Sequence, residues 1–214
     1  MALGEVTQDT RFTEAAHDSA HFIVKSLYNN DPQNPAFAYI PGEKAFVHNA
    51  SLWGAALVAQ IAKQTENQSY LQIAYDVAMR SVREQEEDGA WRYGDQPHHQ
   101  FIDGFHTGYN LEALDIVRQA VNTTDFDESI EKGLSYYVQN FFLEDGTPKY
   151  YHNKTLPIDM HSSAQAMITL LTLGNTQEHL ELADRVVSWT LENMYLHKEK
   201  RFIYQITPYG KNKV

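Results

Sequence analysis

Apolar residues recur at three- and four-residue spacing near 12–28, 68–86, 125–142 and 177–195, as in Tyr70, Ala74, Val77, Ala78 and Val82, or Ile130, Leu134, Tyr137, Val138 and Phe141. A single stripe of this kind predicts outer helices, packed on one side and wet on the other. Three further stretches, 50–63, 106–121 and 161–174, alternate with them. In the first, Leu52, Trp53, Ala55, Ala56, Leu57, Val58, Ala59 and Ile61 leave almost no polar face, and Ala164, Met167, Ile168, Leu170 and Leu171 are similarly broad in the last. These predict inner helices covered on more than one side. The order outer, inner, outer, inner, outer, inner, outer predicts an all-α chain of about seven helices, arranged as three and a half hairpins.

The connections are unequal. Those from outer to inner segments, 29–48, 87–105 and 143–160, are long and rich in Gly, Pro, Asp and aromatic residues, whereas a return such as Leu173-Gly174-Asn175-Thr176 is short. Two of the long ones repeat. Glu87-Asp88-Gly89-Ala90-Trp91-Arg92-Tyr93 leads to Asp103-Gly104-Phe105-His106-Thr107-Gly108, and Glu144-Asp145-Gly146-Thr147-Pro148-Lys149-Tyr150 leads to Asp159-Met160-His161-Ser162-Ser163. Asp88 and Asp145 are 57 residues apart, His106 and His161 are 55 apart. Such a period belongs to helical-hairpin arrays, in which each unit buries its apolar side on its neighbour. The expected units are 12–64, 68–122, 125–174 and 177–214, within one domain spanning 1–214. Elaborate loops at one end of a rigid array are where binding concentrates.

Composition narrows the partners. A formal net charge of −11 and the lack of any Lys/Arg cluster argue against nucleic acid and an anionic membrane surface. With no cysteine there are no disulfides or thiolate metal sites. The N-terminus lacks a basic segment followed by an apolar one, and no apolar run is long enough for a bilayer, so the expectation is a cytoplasmic chain. Asn-x-Ser/Thr triplets at Asn49, Asn67, Asn122 and Asn153 carry no weight without a secretory signal.

The run Asp-Gly-x-Trp-x-Tyr at 88–93, followed by Asp103 through Leu114 and by Asp159 through Gln165, resembles the α/α-toroid proteins found with bacterial polysaccharide biosynthesis, over roughly 40–210. Their six-hairpin glycosidase-like architecture is shared by glycosidases, polysaccharide lyases, uronate epimerases and terpene cyclases, so the resemblance implies a barrel with a central cleft more firmly than it implies a reaction. A closed toroid has about twelve helices. The resemblance therefore implies a truncated or open ring with exposed apolar surface, completed by self-association or by a missing C-terminal half.

His106 and His161 fall near the N-termini of inner helices, and His48-Asn49 opens the first one. Free backbone N–H groups there favour an anion such as a uronate carboxylate. In a ring these termini gather His48, Asn49, Asp103, His106, Asp159 and His161 at one rim. The alternative is structural: Asp103 and Asp159, with Thr107, Ser162 or Ser163, cap helices, and each histidine bonds a neighbouring loop. Trp91, Tyr93, Phe105, Tyr109, Tyr150 and Tyr151 are candidates for sugar stacking, with Arg92 or Lys149 pairing an acidic substituent. For Trp91 and Tyr150 the preferred alternative is that they plug the hairpin and anchor the loop.

Three chemistries stay open. A glycosidase needs two carboxyls about 5–10 Å apart, for which Asp103 with Asp159 or Glu112 is a candidate pair. Lysis or C5 epimerisation of a uronate needs a base, such as His106 or Tyr109, and a cation or amide to neutralise the substrate carboxylate. His98 and His99 with Asp103 and His106 match no metal signature and read as a solvated loop. Phosphate loops, the Gly-x-Ser-x-Gly elbow, the dinucleotide fingerprint and Asp-rich diphosphate motifs are missing, so neither metal nor cofactor is expected. The expected function is a carbohydrate-active toroid protein holding an acidic oligosaccharide in a loop-lined cleft. Its alternative is a non-catalytic module that docks a partner through uncovered inner helices.

Overall fold

The computed structural model describes residues 2–213. Helices α1 (Ala2–Thr7) and α2 (Thr10–Phe22), the latter widening into a π turn at Ile23–Leu27, precede a short pair of strands, β1 (Tyr28–Asn29) and β2 (Ala36–Phe37). Then follow α3 (His48–Thr65), α4 (Gln68–Arg83), α5 (Gly104–Val121), α6 (Asp127–Asn140), β3 (Ile158–Asp159), α7 (Met160–Leu173) and α8 (Gln177–Met194). Strands β4 (Tyr195–Leu196), β5 (Arg201–Phe202), β6 (Gln205–Thr207) and β7 (Gly210–Asn212) close the described chain. The alternation of broad and striped helices predicted above is present, with boundaries within a few residues.

The chain divides into two compact units. The first comprises residues up to Gln85 with Gly94–Pro97 and Ala113–Ser129. Its core sets Leu52, Ala55, Ala56, Val58, Ala59 and Ile61 of α3 beside Ala74, Val77 and Ala78 of α4, all buried. The α3–α4 turn is tight because Glu66 adopts a left-handed φ of 56° and Asn67 caps α4, accepting the Tyr70 N–H at 3.1 Å.

The second unit comprises Glu86–Tyr93, His98–Glu112 and residues from Ile130 onward. Ala166 and Leu170 of α7 pack on Leu182, Ala183 and Val186 of α8. Ile158, Met194 and Ile203 form a second cluster beneath the strands. The part of α5 in this unit approaches α7 closely: a Cβ on Gly108 would lie 2.6 Å from Gln165 Cγ and 2.7 Å from Thr169 Oγ1. Only glycine allows that approach, and it sets the starts of α5 and α7 side by side. Ile168 and Leu171 of α7 remain exposed, so the broad apolar character of this helix is not fully covered within the chain.

Two loops of this unit match bond for bond at a spacing of 57 residues. In one, Gly89 N–H donates to the Glu86 carbonyl (2.9 Å), Glu86 N–H to the Ala90 carbonyl (2.9 Å) and Ala90 N–H to Asp88 Oδ1 (3.1 Å). In the other, Gly146 donates to Leu143 (2.9 Å), Leu143 to Thr147 (3.1 Å) and Thr147 to Asp145 Oδ1 (2.9 Å). Gly146 has a φ of +89°, and a Cβ there would sit 2.6 Å from the carbonyl carbon of Arg185, so this turn needs glycine twice over.

A third copy was not visible in the sequence. Lys200 takes the glycine position with a φ of 52°. Ile203 N–H donates to the Met194 carbonyl at 2.8 Å, as Lys149 N–H does to Phe141 at 2.8 Å. The Tyr204 carbonyl accepts the Met160 N–H at the start of α7 (3.0 Å), as the Tyr150 carbonyl accepts the Gly104 N–H at the start of α5 (2.8 Å). Without its Asp-Gly signature this loop carries no motif to find.

Candidate functional site

The site assembles where those loops meet the first turns of α5 and α7, within the second unit. Asp103 directly precedes α5. Its Oδ1 accepts the His106 backbone N–H at 2.9 Å and its Oδ2 accepts His106 Nδ1–H at 2.7 Å. Asp159 caps α7, and its Oδ1 accepts both the His161 N–H (2.8 Å) and His161 Nδ1–H (3.0 Å). Each aspartate therefore caps a helix and holds an imidazole. Because an ionised carboxylate only accepts, the neutral ring carries its hydrogen on Nδ1 and keeps the Nε2 lone pair for other work.

The two histidines are not in register. The cap residues Val47, Asp103 and Asp159 are each 56 residues apart, but His106 is the third residue of α5 and His161 the second of α7. One residue turns a helical side chain by about 100°. Phe105, the true counterpart of His161, contacts both imidazoles, its ring centroid 4.0 Å from His106 and 6.0 Å from His161. The carboxylates are buried, with Asp103 and Asp159 side chains 0% and 2% exposed, while His106 is 20% and His161 63% exposed.

Aromatic rings surround this pair. Tyr93 lies 4.7 Å from His106 and stacks on Phe101 at 4.9 Å. Tyr109 lies 5.9 Å from Phe105, Tyr150 lies 5.4 Å from it, and Tyr151 stands 4.6 Å from Tyr150. Burial pushes the Tyr150 hydroxyl above its ordinary range, and the charges of Asp103 and Asp159 push it further; Tyr151 rises through burial and then Asp103. Both phenols therefore stay protonated hydrogen-bond donors. Lys149 is lowered by burial and donates to the His152 carbonyl at 2.6 Å.

The other candidate residues fall elsewhere. Glu112, in the second turn beyond His106, accepts a hydrogen bond from Gln165 Nε2 at 3.0 Å. Arg92 is engaged by Glu86 (2.6 Å) and Gln100 (2.7 Å). Trp91 is 2% exposed and fills the core against Gly133 and Leu111. His48 and Asn49 belong to the first unit. His48 is buried, with Nδ1 3.0 Å from Ser81 Oγ. Burial, and then the charge of Arg80, lower its pKa to about 3 against the opposing pull of Asp95. It is therefore neutral near pH 7, and its 3.8 Å approach to Glu84 is not an ion pair. Asn49 Oδ1 is buried and lacks a partner among the described residues.

The His48 geometry has a measurable consequence. Its folded pKa lies below the unfolded value of about 6.5, so the unfolded chain binds the extra proton and stability falls as pH drops through the window from about 6.5 to about 3. The slope from this one group is at most about 1.4 kcal/mol per pH unit. Urea unfolding across that range should show a shallower loss in His48→Gln than in the unmodified chain.

No group of three or more His, Asp or Glu suited to a metal occurs among the described residues, nor does a helix long and apolar enough to cross a membrane. Sequence reasoning missed Phe101, Tyr204 and Gln205. Tyr204 lies 6.3 Å from His161, and Gln205 Nε2 donates to Asp159 Oδ2 at 3.2 Å. Tyr204 follows Lys200 by four residues, as Tyr93 and Tyr150 follow Gly89 and Gly146, but nothing in the sequence marks Lys200 as the turn position.

No protein-family model matches the chain, and no curated protein matches it significantly. Solved structures do. A cellobiose 2-epimerase from Bacillus thermoamylovorans B4167 aligns with 99% of this chain and 62% of its own at 11% identity and a TM-score of 0.80. An unsaturated glucuronyl hydrolase from Bacillus sp. GL1 aligns with 89% of this chain and 59% of its own at 12% identity, TM-score 0.68. An α-1,6-mannanase from Salegentibacter sp. HEL1_6 aligns with 94% and 58% at 15% identity, TM-score 0.69. The fold is therefore that of the α/α toroids. The chain spans about three fifths of the length of these three structures.

Proposed function

We propose that this chain is a carbohydrate-active toroid protein that binds an oligosaccharide across the aromatic basin of its second unit and moves a proton on a sugar carbon next to a carbonyl or carboxylate. The observation that carries this reading is the pair of imidazoles, each held through Nδ1 by a buried carboxylate and both in ring contact with Phe105. His106 Nε2 removes the proton, the electron pair moves onto the adjacent oxygen as an enediolate, and protonated His161 returns a proton to the opposite face. This is epimerase chemistry. If the intermediate instead expels a leaving group, it is lyase chemistry. No cofactor is required.

Hydrolysis fits less well. It asks one carboxyl to donate a proton and a second to face the sugar or a water, but Asp103 and Asp159 are buried and engaged by their histidines. An acidic sugar would find Lys149 on a neighbouring loop, while Arg92 is held by Glu86 and Gln100. A second reading, a non-catalytic docking module, draws on the exposed Ile168 and Leu171 of α7.

The test is incubation in heavy water with cellobiose and with a saturated uronate oligosaccharide, followed by NMR of the sugar. Deuterium at the carbon beside the carbonyl or carboxylate, with or without a new double bond, is the expected result. New reducing ends with no deuterium in the carbon skeleton would replace proton transfer by hydrolysis.

A further inference from the structure

The two halves of the site differ in how their carboxylates are held. At the first, both oxygens of Asp103 serve His106, and the residue paired across from Asp103 is Tyr151. At the second, His161 sits one residue nearer the cap, and both its donors converge on Asp159 Oδ1. Oδ2 is left over. Opposite Asp159, at the position equivalent to Tyr151, stands Gln205, whose Nε2 donates to that oxygen at 3.2 Å. The shift of the histidine and the exchange of Tyr for Gln compensate one another.

We infer that Gln205 is the positioning residue of the His161 half of the site: by engaging Asp159 Oδ2 it fixes the carboxylate plane so that Oδ1 points at Nδ1, and thereby fixes the ring and its tautomer. This rests on the proton-transfer reading above. Strand β6 places Gln205 in register, since Ile158 pairs with Ile206, Asp159 with Gln205, and the β6–β7 hairpin braces the strand from its other side. Tyr204, just before it, stands edge-on to the same imidazole at 6.3 Å and adds an aromatic wall that the first half gains from Tyr93. A buried carboxylate with one unengaged oxygen would be free to turn or to draw in water, and the more exposed His161 needs that restraint more than His106 does.

Gln205→Met keeps the side chain's length and removes the donor; Gln205→Asn keeps an amide that is too short to reach. Both are expected to fold, with melting lowered by no more than the loss of one hydrogen bond to Asp159 brings. The tautomer of His161, read by long-range 1H–15N NMR at about pH 9 where free imidazoles are neutral, is Nδ1–H in the parent and mixed in both variants. Turnover of the active sugar falls roughly tenfold in kcat with KM little changed, the size seen when partners that orient a histidine are lost. An unchanged tautomer in both folded variants, or kcat within about twofold of the parent, would overturn the assignment. A parent chain inactive on every sugar would sink the proton-transfer reading, while the tautomer, measured without substrate, still decides the role of Gln205.

Discussion

Replacing His106 by Asn should lower turnover by roughly 10²- to 10⁴-fold, the contribution of a positioned acid or base. Its imidazole is the better held of the two, 2.7 Å from a fully buried carboxylate and packed between Tyr93 and Phe105. The effect on folding should be smaller. Asp103 keeps the backbone N–H of residue 106, so the helix cap survives, and loss of the ring's bond to the carboxylate costs about 1–3 kcal/mol. Sugar-dependent kinetics paired with urea unfolding separates the roles. Loss of turnover in a folded variant is the expected result, whereas a collapse in stability with turnover per folded molecule intact would make His106 scaffold. His161→Asn should show the same loss of activity with less effect on folding, since that ring is largely in solvent.

Trp91→Ala is expected to be the most destabilising single change, at about 3–5 kcal/mol. The ring is 2% exposed and lies where a Cβ on Gly133 would come within 2.6 Å, with Leu111 on its flank. It fastens its loop to α5 and α6, which no smaller side chain can do across that gap. Pro148 takes the same place in the second loop and is also buried, whereas Phe202 in the third is exposed, so in the first two loops the position holds an apolar plug rather than a sugar platform. Urea unfolding measures the loss. A change below about 1 kcal/mol, accompanied by weakened sugar binding, would return Trp91 to the binding surface.

The helices were legible because two kinds of burial write two patterns: Tyr70, Ala74, Val77 and Ala78 form one apolar stripe that leaves the opposite face wet, and Leu52 to Ile61 leave almost no polar face. The paired Asp and His motifs were legible because the loops that carry them repeat. Register within the motif was not. Matching His106 to His161 at 55 residues hides the 56-residue step between their caps, and backbone geometry alone shows that Phe105 is the counterpart of His161. The third loop escaped notice because Lys200 accepts a left-handed φ that L-residues normally avoid. The strands escaped because two or three residues are too few to show an alternating period. Composition also cannot tell a buried neutral histidine from a working one: His48 and His106 both open inner helices, yet one is enclosed at 3% exposure and the other faces the aromatic basin.

The most direct test of the paired imidazoles is a crystal structure of the chain soaked with cellobiose or with the uronate oligosaccharide. The expected result is a sugar ring lying across Phe105, with Nε2 of His106 and of His161 each within hydrogen-bond reach of it. A sugar seated away from both histidines, with Asp103 and Asp159 still closed onto their rings, would contradict it.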